Sequence, residues 1–161
     1  MNDTAFRLGA DAERRVKPRQ VRDEEERMKN RSKILIVDDE PIVGERLSAS
    51  LSKDGHQVEA HTDPAEALRT VGTEKFDIVI CDIRMGEIDG LQVMDKVLAI
   101  SPRTKFIMIT GYATLELARE SLTKGAFDFI AKPFKLGEIR KTIDKAIAAL
   151  SRENGSPVDG N

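Results

Sequence analysis

Short apolar runs alternate with helix-like repeats from Lys33 onward. Five runs have the composition of β-strands: KILIV, QVEAH, FDIVICD, KFIMIT and FDFIA. After each run, apolar residues recur every three or four positions, which is the spacing of one helix face. Strands that alternate with helices predict an α/β fold in which one parallel sheet carries helices on both faces.

The helix boundaries follow from capping residues and from breaks in the apolar repeat. Pro41 suits the first turn of a helix, and Asp63 and Asp89 stand where side-chain caps belong. The predicted helices run from Pro41 to before Gly55, from Pro64 through Leu68, from Leu91 to before Pro102, from Leu115 to Lys124, and from Leu136 to Leu150. The first, third and fourth strands are nearly all apolar, which predicts burial on both faces. The second strand is more polar and is predicted to lie at an edge of the sheet.

Composition divides the chain into three segments. Residues 1–32 mix charges of both signs without a sustained apolar period, which predicts a flexible extension or a short solvated helix over Gln20–Asn30. Residues 33–150 form the folded domain. Residues 151–161 are rich in Gly, Ser, Asn and Pro, and we expect a flexible tail there.

Charge and cysteine usage exclude several classes of protein. The 26 Lys and Arg residues nearly balance the 28 Asp and Glu residues, so no basic excess points to direct binding of nucleic acid. No apolar run approaches the roughly 18 residues of a membrane span, and the N-terminus lacks the apolar segment of a secretory signal. Cys81 is the one cysteine, so no internal disulfide can form. We predict a cytoplasmic protein that does not bind membranes.

Polar residues stand where the predicted strands end. Asp38 and Asp39 follow the first strand, Asp82 ends the third, Thr110 ends the fourth, and Lys132 follows the fifth. The carboxyl ends of parallel strands meet at one edge of the sheet, and ligands bind there in open α/β folds. The sequence therefore predicts one pocket that holds three carboxylates, a hydroxyl and an ammonium.

The charges of this pocket call for a cation and suggest phosphoryl chemistry. Lys132 neutralises one of three carboxylates, and a divalent ion would neutralise the other two. Oxygen ligands alone suit Mg²⁺, whereas His56 and His61 flank the edge strand and are predicted to lie away from the cluster. A carboxylate beside a metal and a lysine can attack phosphorus as a nucleophile. Asp82, at the end of a central strand, is the candidate acceptor.

Four segments carry a resemblance to a known family. LIVDDEP, DIVICDIRM followed by DG, ITGYAT and GAFDFIAKPF occur in the order and at the spacing of receiver domains of two-component response regulators. Residues 33–150 resemble that family, and the last two segments are similar to receivers of nitrogen-type, sigma-54-dependent regulators. The resemblance implies a doubly wound, flavodoxin-like sheet of strand order 2-1-3-4-5.

The resemblance also implies a role for each pocket residue. Asp82 is the implied phosphoacceptor, and Lys132 is the ammonium that would pair with the phosphate. Mg²⁺ would be bound directly by Asp39, Asp82 and the backbone carbonyl of Arg84, and through water by Asp38. Thr110 is the implied switch hydroxyl and Phe129 the implied switch aromatic. The Lys132–Pro133 bond resembles one that is cis in the family. Gly86 departs from the family, which usually has proline there, and this departure predicts a looser acceptor loop.

We therefore expect a stand-alone response regulator or phosphorelay receiver. We expect it to catalyse only its own phosphorylation and dephosphorylation, and no other reaction. Its phosphoryl donor would be a histidine kinase or a phosphotransfer protein. The output would be a downstream protein bound at the face made by the 115–124 helix, the fifth strand and the last helix.

Three alternatives compete with this interpretation. A receiver cut from, or paralogous to, a transcriptional regulator would share the motifs, but no helix-turn-helix or nucleotide-binding loop follows Leu150. A haloacid-dehalogenase-type phosphohydrolase would place a second Asp two residues after Asp38, where this chain has Glu40. A binding module that takes no phosphate would not need Asp82, Thr110 and Lys132 together.

Overall fold

The computed structural model describes residues 18–155, which form five strands and six helices. In chain order the elements are α1 (Pro18–Lys29), β1 (Lys33–Val37), α2 (Pro41–Lys53), β2 (Gln57–His61), α3 (Pro64–Thr73), β3 (Ile78–Asp82), α4 (Gly90–Ile100), β4 (Lys105–Thr110), α5 (Leu115–Thr123), β5 (Asp128–Ala131) and α6 (Leu136–Gly155).

The five strands pair in parallel in the order β2-β1-β3-β4-β5, which confirms the order implied by the resemblance. Almost every residue of β1, β3 and β4 is buried, because these central strands are covered on both faces. The residues of β2 are exposed or half-buried, which confirms the predicted edge position. All strand ends that carry candidate residues therefore lie at one edge of the sheet.

Two apolar layers cover the sheet, one on each face. Successive strand residues point to opposite faces, so Leu35 and Val79 join the cluster under α3, α4 and α5. Ile36 and Ile80 join the cluster under α2 and α6. Cys81 is fully buried in the first cluster, which confirms that it is a core residue. The helices thus wind on both sides of the sheet, as predicted.

Two helices extend beyond their predicted ends. Helix α3 continues past Leu68 to Thr73, because Val71 extends the buried stripe that begins at Ala67. Helix α6 continues past Leu150 to Gly155, so the first part of the predicted tail is helical. The side chain of Glu153 forms a salt bridge with Lys105 at the start of β4, which ties the added turn to the sheet. The rest of that tail, residues 156–161, lies outside the described residues.

Helix α1 covers the part of the extension where the sequence allows a short helix. Pro18 is its first residue, and no residue of α1 is buried. The remainder of the extension, residues 1–17, lies outside the described part of the chain, so the division into three segments stays a prediction. Within residues 18–155, no helix has the length and apolar character needed to cross a membrane.

The first turn of α4 presses against the end of β3. A Cβ atom on Gly90 would lie 2.3 Å from the backbone oxygen of Asp82 and 2.8 Å from the Cα of Ile83. The Gly90 N–H donates to the carbonyl of Ile83 at 2.7 Å. The Asp89 side chain accepts from the Gln92 N–H at 2.9 Å in a capping box, which confirms Asp89 as a helix cap. Only glycine fits at position 90, and the contact fixes the backbone around Asp82.

We expect Gly90→Ala to lower the free energy of unfolding by on the order of 1–3 kcal/mol, because the added methyl group forces the backbone of Asp82 and Ile83 to move. Gly72→Ala is the matched control, since no atom lies within 4 Å of a Cβ at that helical position. Urea unfolding of both variants measures the difference. Equal stability of the two variants would contradict the close packing of α4 on β3.

Candidate functional site

The carboxyl edge of the sheet brings the predicted acidic residues together. Asp38 and Asp39 follow β1, and Asp82 is the last residue of β3, the neighbouring strand. One carboxylate oxygen from each residue lies within 4.8 Å of the others. Asp38 and Asp82 are buried, with 2% and 5% of their surface exposed, whereas Asp39 is exposed. The strand ends therefore build one compact acidic cluster with a single exposed member.

Lys132 places its ammonium in this cluster. Its Nζ donates to Asp38 Oδ2 at 2.8 Å and to Asp82 Oδ2 at 3.1 Å. Glu40 Oε1 lies 3.9 Å from the same Nζ, a contact that the sequence analysis missed. The signal for it was the position of Glu40 directly after the acidic pair. Lys132 reaches the cluster because its backbone N–H bonds the carbonyl of Thr110 at 2.8 Å, which extends the β4–β5 pairing to position 132.

The hydrogen bonds of Asp38 indicate which carboxylates of the cluster remain available to bind a metal ion. Asp38 Oδ1 accepts the backbone N–H of Glu40 at 2.9 Å, and Oδ2 accepts from Lys132. Both carboxylate oxygens of Asp38 therefore accept hydrogen bonds from the protein. Asp39 is exposed, and within residues 18–155 its carboxylate accepts no such hydrogen bond. An all-oxygen set of three carboxylates suits a hard divalent cation. The residues present therefore fit Mg²⁺, with Asp39 and Asp82 best placed to contact it directly.

Burial or neighbouring charges raise the pKa values of two residues in the cluster. Burial raises the pKa of Asp82 above its ordinary value of 3.8, and the charge of Asp38 adds to this rise. The Lys132 hydrogen bond and charge, and the backbone amide of Arg84, act against it. Burial alone would lower the pKa of Lys132, but the hydrogen bonds and charges of Asp38 and Asp82 raise it. Lys132 is therefore an ammonium at neutral pH, and the cluster retains an excess of negative charge.

Thr110 and Tyr112 lie at the end of β4 beside the cluster. Thr110 is fully buried, and its Oγ1 accepts the backbone N–H of Tyr112 at 3.1 Å. The guanidinium carbon of Arg84 lies 4.3 Å from the centre of the Tyr112 ring. The sequence analysis gave no sign of this ring contact, which depends on two loops meeting in space.

Other residues named in the sequence analysis lie outside the acidic cluster. Phe129 is half-buried on β5 and packs against the apolar cluster under α3, α4 and α5. His56 Nδ1 accepts the Ser32 N–H at 3.2 Å at the start of β2, and burial lowers the pKa of this imidazole. The Nε2 atom of His61 lies 2.8 Å from Glu59 Oε1, so this side chain is engaged outside the acidic cluster. The backbone carbonyl of His61 accepts the Asp38 N–H. The Lys132–Pro133 bond is cis, as the resemblance implies.

The acceptor loop follows a path that suits glycine at position 86. Gly86 has φ +68°, in the left-handed region. Proline holds φ near −65° and cannot adopt this conformation. The flanking side chains of Ile83 and Met85 are buried, so the loop is anchored just before the turn. Gly86 thus occupies a turn that proline could not adopt, and the predicted looseness of the loop stays a prediction.

We expect Asp82→Asn to raise the melting temperature by a few degrees at pH 7.5, because it removes a buried carboxylate from a like-charged cluster. A carboxyl whose folded pKa is raised adds stability at low pH and loses it as the pH rises through that pKa. The gain of the variant should therefore shrink as the pH falls and vanish near the ordinary value of 3.8. Thermal melts between pH 7.5 and pH 4 without metal measure it. A gain that grows on acidification would contradict the raised pKa.

Comparisons with known proteins agree with this geometry. The transcriptional regulatory protein ZraR of Escherichia coli is 35% identical over 115 residues, which is 71% of this chain and 26% of ZraR. A CheY-like receiver domain protein from Methanospirillum hungatei superposes with a TM-score of 0.73 at 30% identity, over 76% of this chain and 98% of that one.

A response regulator protein from Burkholderia pseudomallei superposes with a TM-score of 0.67 at 26% identity, over 78% of this chain and 75% of that one. Its crystal structure contains a phosphorylated aspartic acid, a calcium ion and citrate. The chain spans about a quarter of the length of the curated relatives it matches.

The family model of the response regulator receiver domain matches residues 34–144. This range includes all five strands except Lys33, the first residue of β1. This stretch is more than half of the chain, and it contains the whole acidic cluster with Lys132. The chain therefore belongs to the response regulator receiver domain family.

Proposed function

We propose that this chain accepts a phosphoryl group on Asp82 from a histidine kinase or a phosphotransfer protein, with Mg²⁺ bound at the same cluster. The observation that carries the proposal is the position of the Asp82 carboxylate. It lies 3.1 Å from the Lys132 ammonium and within 4.8 Å of two further carboxylates. The phosphorylated aspartic acid of the Burkholderia pseudomallei protein supports the same chemistry.

The arrangement supports Asp82 as the nucleophile. Asp38 has both oxygens engaged, and Asp39 is exposed at the rim. Asp82 ends a central strand with its carboxylate beside the Lys132 ammonium, and one of its oxygens would attack phosphorus and form the acyl phosphate. The bond from phosphorus to the donor nitrogen breaks, and the nitrogen keeps the electron pair. Lys132 offsets negative charge on the phosphoryl oxygens, and the Thr110 hydroxyl can donate to one of them.

The proposed metal ligands are Asp39, Asp82 and the backbone carbonyl of Arg84, with Asp38 acting through water. Mg²⁺ would neutralise charge on the transferring group. Asp38 contributes mainly by holding Lys132, because its carboxylate is bonded to the ammonium and to the Glu40 amide. The three carboxylates and one ammonium leave an excess of two negative charges, which matches one divalent ion.

The output face is proposed on α5, β5 and α6. Tyr112, Leu115 and Leu122 expose 62%, 67% and 48% of their surface at this side of the molecule. Exposed apolar side chains that cluster mark protein-binding surfaces. Phosphorylation would draw the Thr110 hydroxyl toward the phosphoryl oxygens and give Phe129 room to turn inward. The face would then bind a downstream protein differently in the two states.

Several finer predictions from the sequence stay predictions. A stand-alone regulator is one of them, because the relatives contain this domain as about a quarter of a longer chain. A part or paralogue of a transcriptional regulator is therefore the second candidate. Catalysis limited to self-phosphorylation and self-dephosphorylation, a cytoplasmic location, and the absence of direct nucleic-acid binding are likewise predictions.

We expect Asp82→Asn to abolish phosphorylation by a small phosphodonor in Mg²⁺, because the nucleophilic oxygen is lost. Glu87→Gln is the control, since it removes an exposed carboxylate from the same loop. Intact-mass analysis of both variants after incubation with acetyl phosphate measures the added phosphoryl group. Phosphorylation of Asp82→Asn at the wild-type level would refute the proposed acceptor.

Millimolar Mg²⁺ should shift the amide signals of residues 38–40 and 82–85, because the excess charge is concentrated there. Asp39→Asn should weaken Mg²⁺ binding at least tenfold, whereas Asp63→Asn, a helix cap at the next strand end, should leave it unchanged. A titration followed by amide chemical shifts provides the affinities. Equal Mg²⁺ affinity of wild type and Asp39→Asn would exclude the proposed ligand set.

Beryllofluoride, a stable mimic of the phosphoryl group, should shift amide signals across 110–135 in the wild type but not in Asp82→Asn. The reason is that the Thr110 and Phe129 rearrangements need a group bonded to Asp82. Residues 64–73 of α3, on the far side of α4, serve as the internal reference. Shifts restricted to 82–85 would place the output face elsewhere.

A further inference from the structure

A continuous set of contacts joins Asp82 to Thr110 around the pocket mouth. Burial raises the pKa of Asp82, and the backbone amide of Arg84, two residues along the acceptor loop, partly offsets that rise. The Arg84 guanidinium lies over the Tyr112 ring at 4.3 Å, and the Tyr112 N–H donates to Thr110 Oγ1 at 3.1 Å. The acceptor loop and the loop after β4 are thus bridged by one side-chain contact, the Arg84–Tyr112 stack.

The contact to Thr110 opposes the movement that the proposed function requires. Thr110 is fully buried, and its hydroxyl has one hydrogen to donate and two lone pairs to accept with. One lone pair now accepts the Tyr112 N–H. To reach a phosphoryl oxygen on Asp82, the hydroxyl must rotate and leave that N–H. Whatever fixes the backbone of Tyr112 therefore favours the present position of the hydroxyl.

The Arg84–Tyr112 stack is a contact that fixes Tyr112. Tyr112 is 62% exposed and belongs to neither apolar cluster of the described residues, and the Arg84 guanidinium packs on its ring. Arg84 is exposed as well, but its backbone is anchored between the buried residues Ile83 and Met85. The acceptor loop therefore supplies the anchored end of the contact, and the exposed loop after β4 supplies the other end.

We propose that the Arg84–Tyr112 stack is a latch that holds the Thr110 hydroxyl in its unphosphorylated position and so restrains the switch. The proposal rests on the proposed function, since it assigns a regulator to the Asp82 site. An exposed cation–π contact corresponds to roughly a two- to fivefold change in an equilibrium constant. The latch thus sets how much of the unphosphorylated protein already has the switched arrangement.

A double-mutant cycle on beryllofluoride affinity tests the latch. Tyr112→Leu removes the ring, keeps apolar bulk and leaves the net charge unchanged. Its dissociation constant for beryllofluoride in Mg²⁺, measured by calorimetry, should fall about two- to fivefold in the wild-type background. In the Arg84→Gln background the same substitution should have no effect, because the ring has already lost its partner. Arg119→Gln, an exposed arginine on α5, is the matched background control, where the full effect of Tyr112→Leu should return.

A second measurement follows the resting state directly. In the absence of beryllofluoride, the amide signals of residues 110–113 of Tyr112→Leu should move along the line that joins free and beryllofluoride-bound wild type. The latch is overturned if Tyr112→Leu does not bind beryllofluoride more tightly, or if its gain is equal in the Arg84→Gln background. If wild type itself fails to bind beryllofluoride with Mg²⁺, the proposed function fails first. Tight wild-type binding with no gain in Tyr112→Leu rejects the latch alone.

Discussion

The interaction of one ammonium with two buried carboxylates organises the functional edge of this molecule. Lys132 lies 2.8 Å from Asp38 and 3.1 Å from Asp82, and without it the two acids would repel each other across a buried strand end. The ammonium neutralises only part of the charge. The remaining negative charge favours binding of a divalent cation, and the proposed phosphoryl transfer would depend on that cation because the incoming group is itself anionic.

The rest of the fold holds these groups in place. Strands β1 and β3 are buried on both faces, so the residues at their ends have little freedom to move. Gly90 lets the first turn of α4 lie directly against the backbone of Asp82, and the cap at Asp89 fixes that turn. The site is thus rigid on the β1 and β3 side. The loop after β4, which carries Tyr112, is exposed beside the buried Thr110, and the proposed switch would act there.

Burial of Asp82 links stability and function. Burial raises the pKa of this carboxyl, which means that the folded protein tolerates its charge less well than water does. A neutral side chain would suit the fold better, but it could not attack phosphorus. The conflict is eased by Lys132 and would be eased further by a bound cation. The proposed metal binding and phosphorylation would therefore act on a site whose charges the fold compensates only in part, and both would shift its conformational equilibrium.

Local periodicity and the parallel arrangement of strand ends are enough to predict the strand–helix alternation, the buried central strands and the convergence of Asp38, Asp39, Asp82 and Lys132. The strand order entered through the family resemblance, since short apolar runs do not identify their neighbours. The extra turn of α6 could not be predicted in this way, because it depends on Glu153 meeting Lys105 from a distant segment. Nor could the contact of Lys132 with Glu40 and the stack of Arg84 on Tyr112. These contacts join residues on different loops, and loop paths are set by packing and backbone conformation, as at Gly86 with φ +68°, rather than by the spacing of residues along the chain.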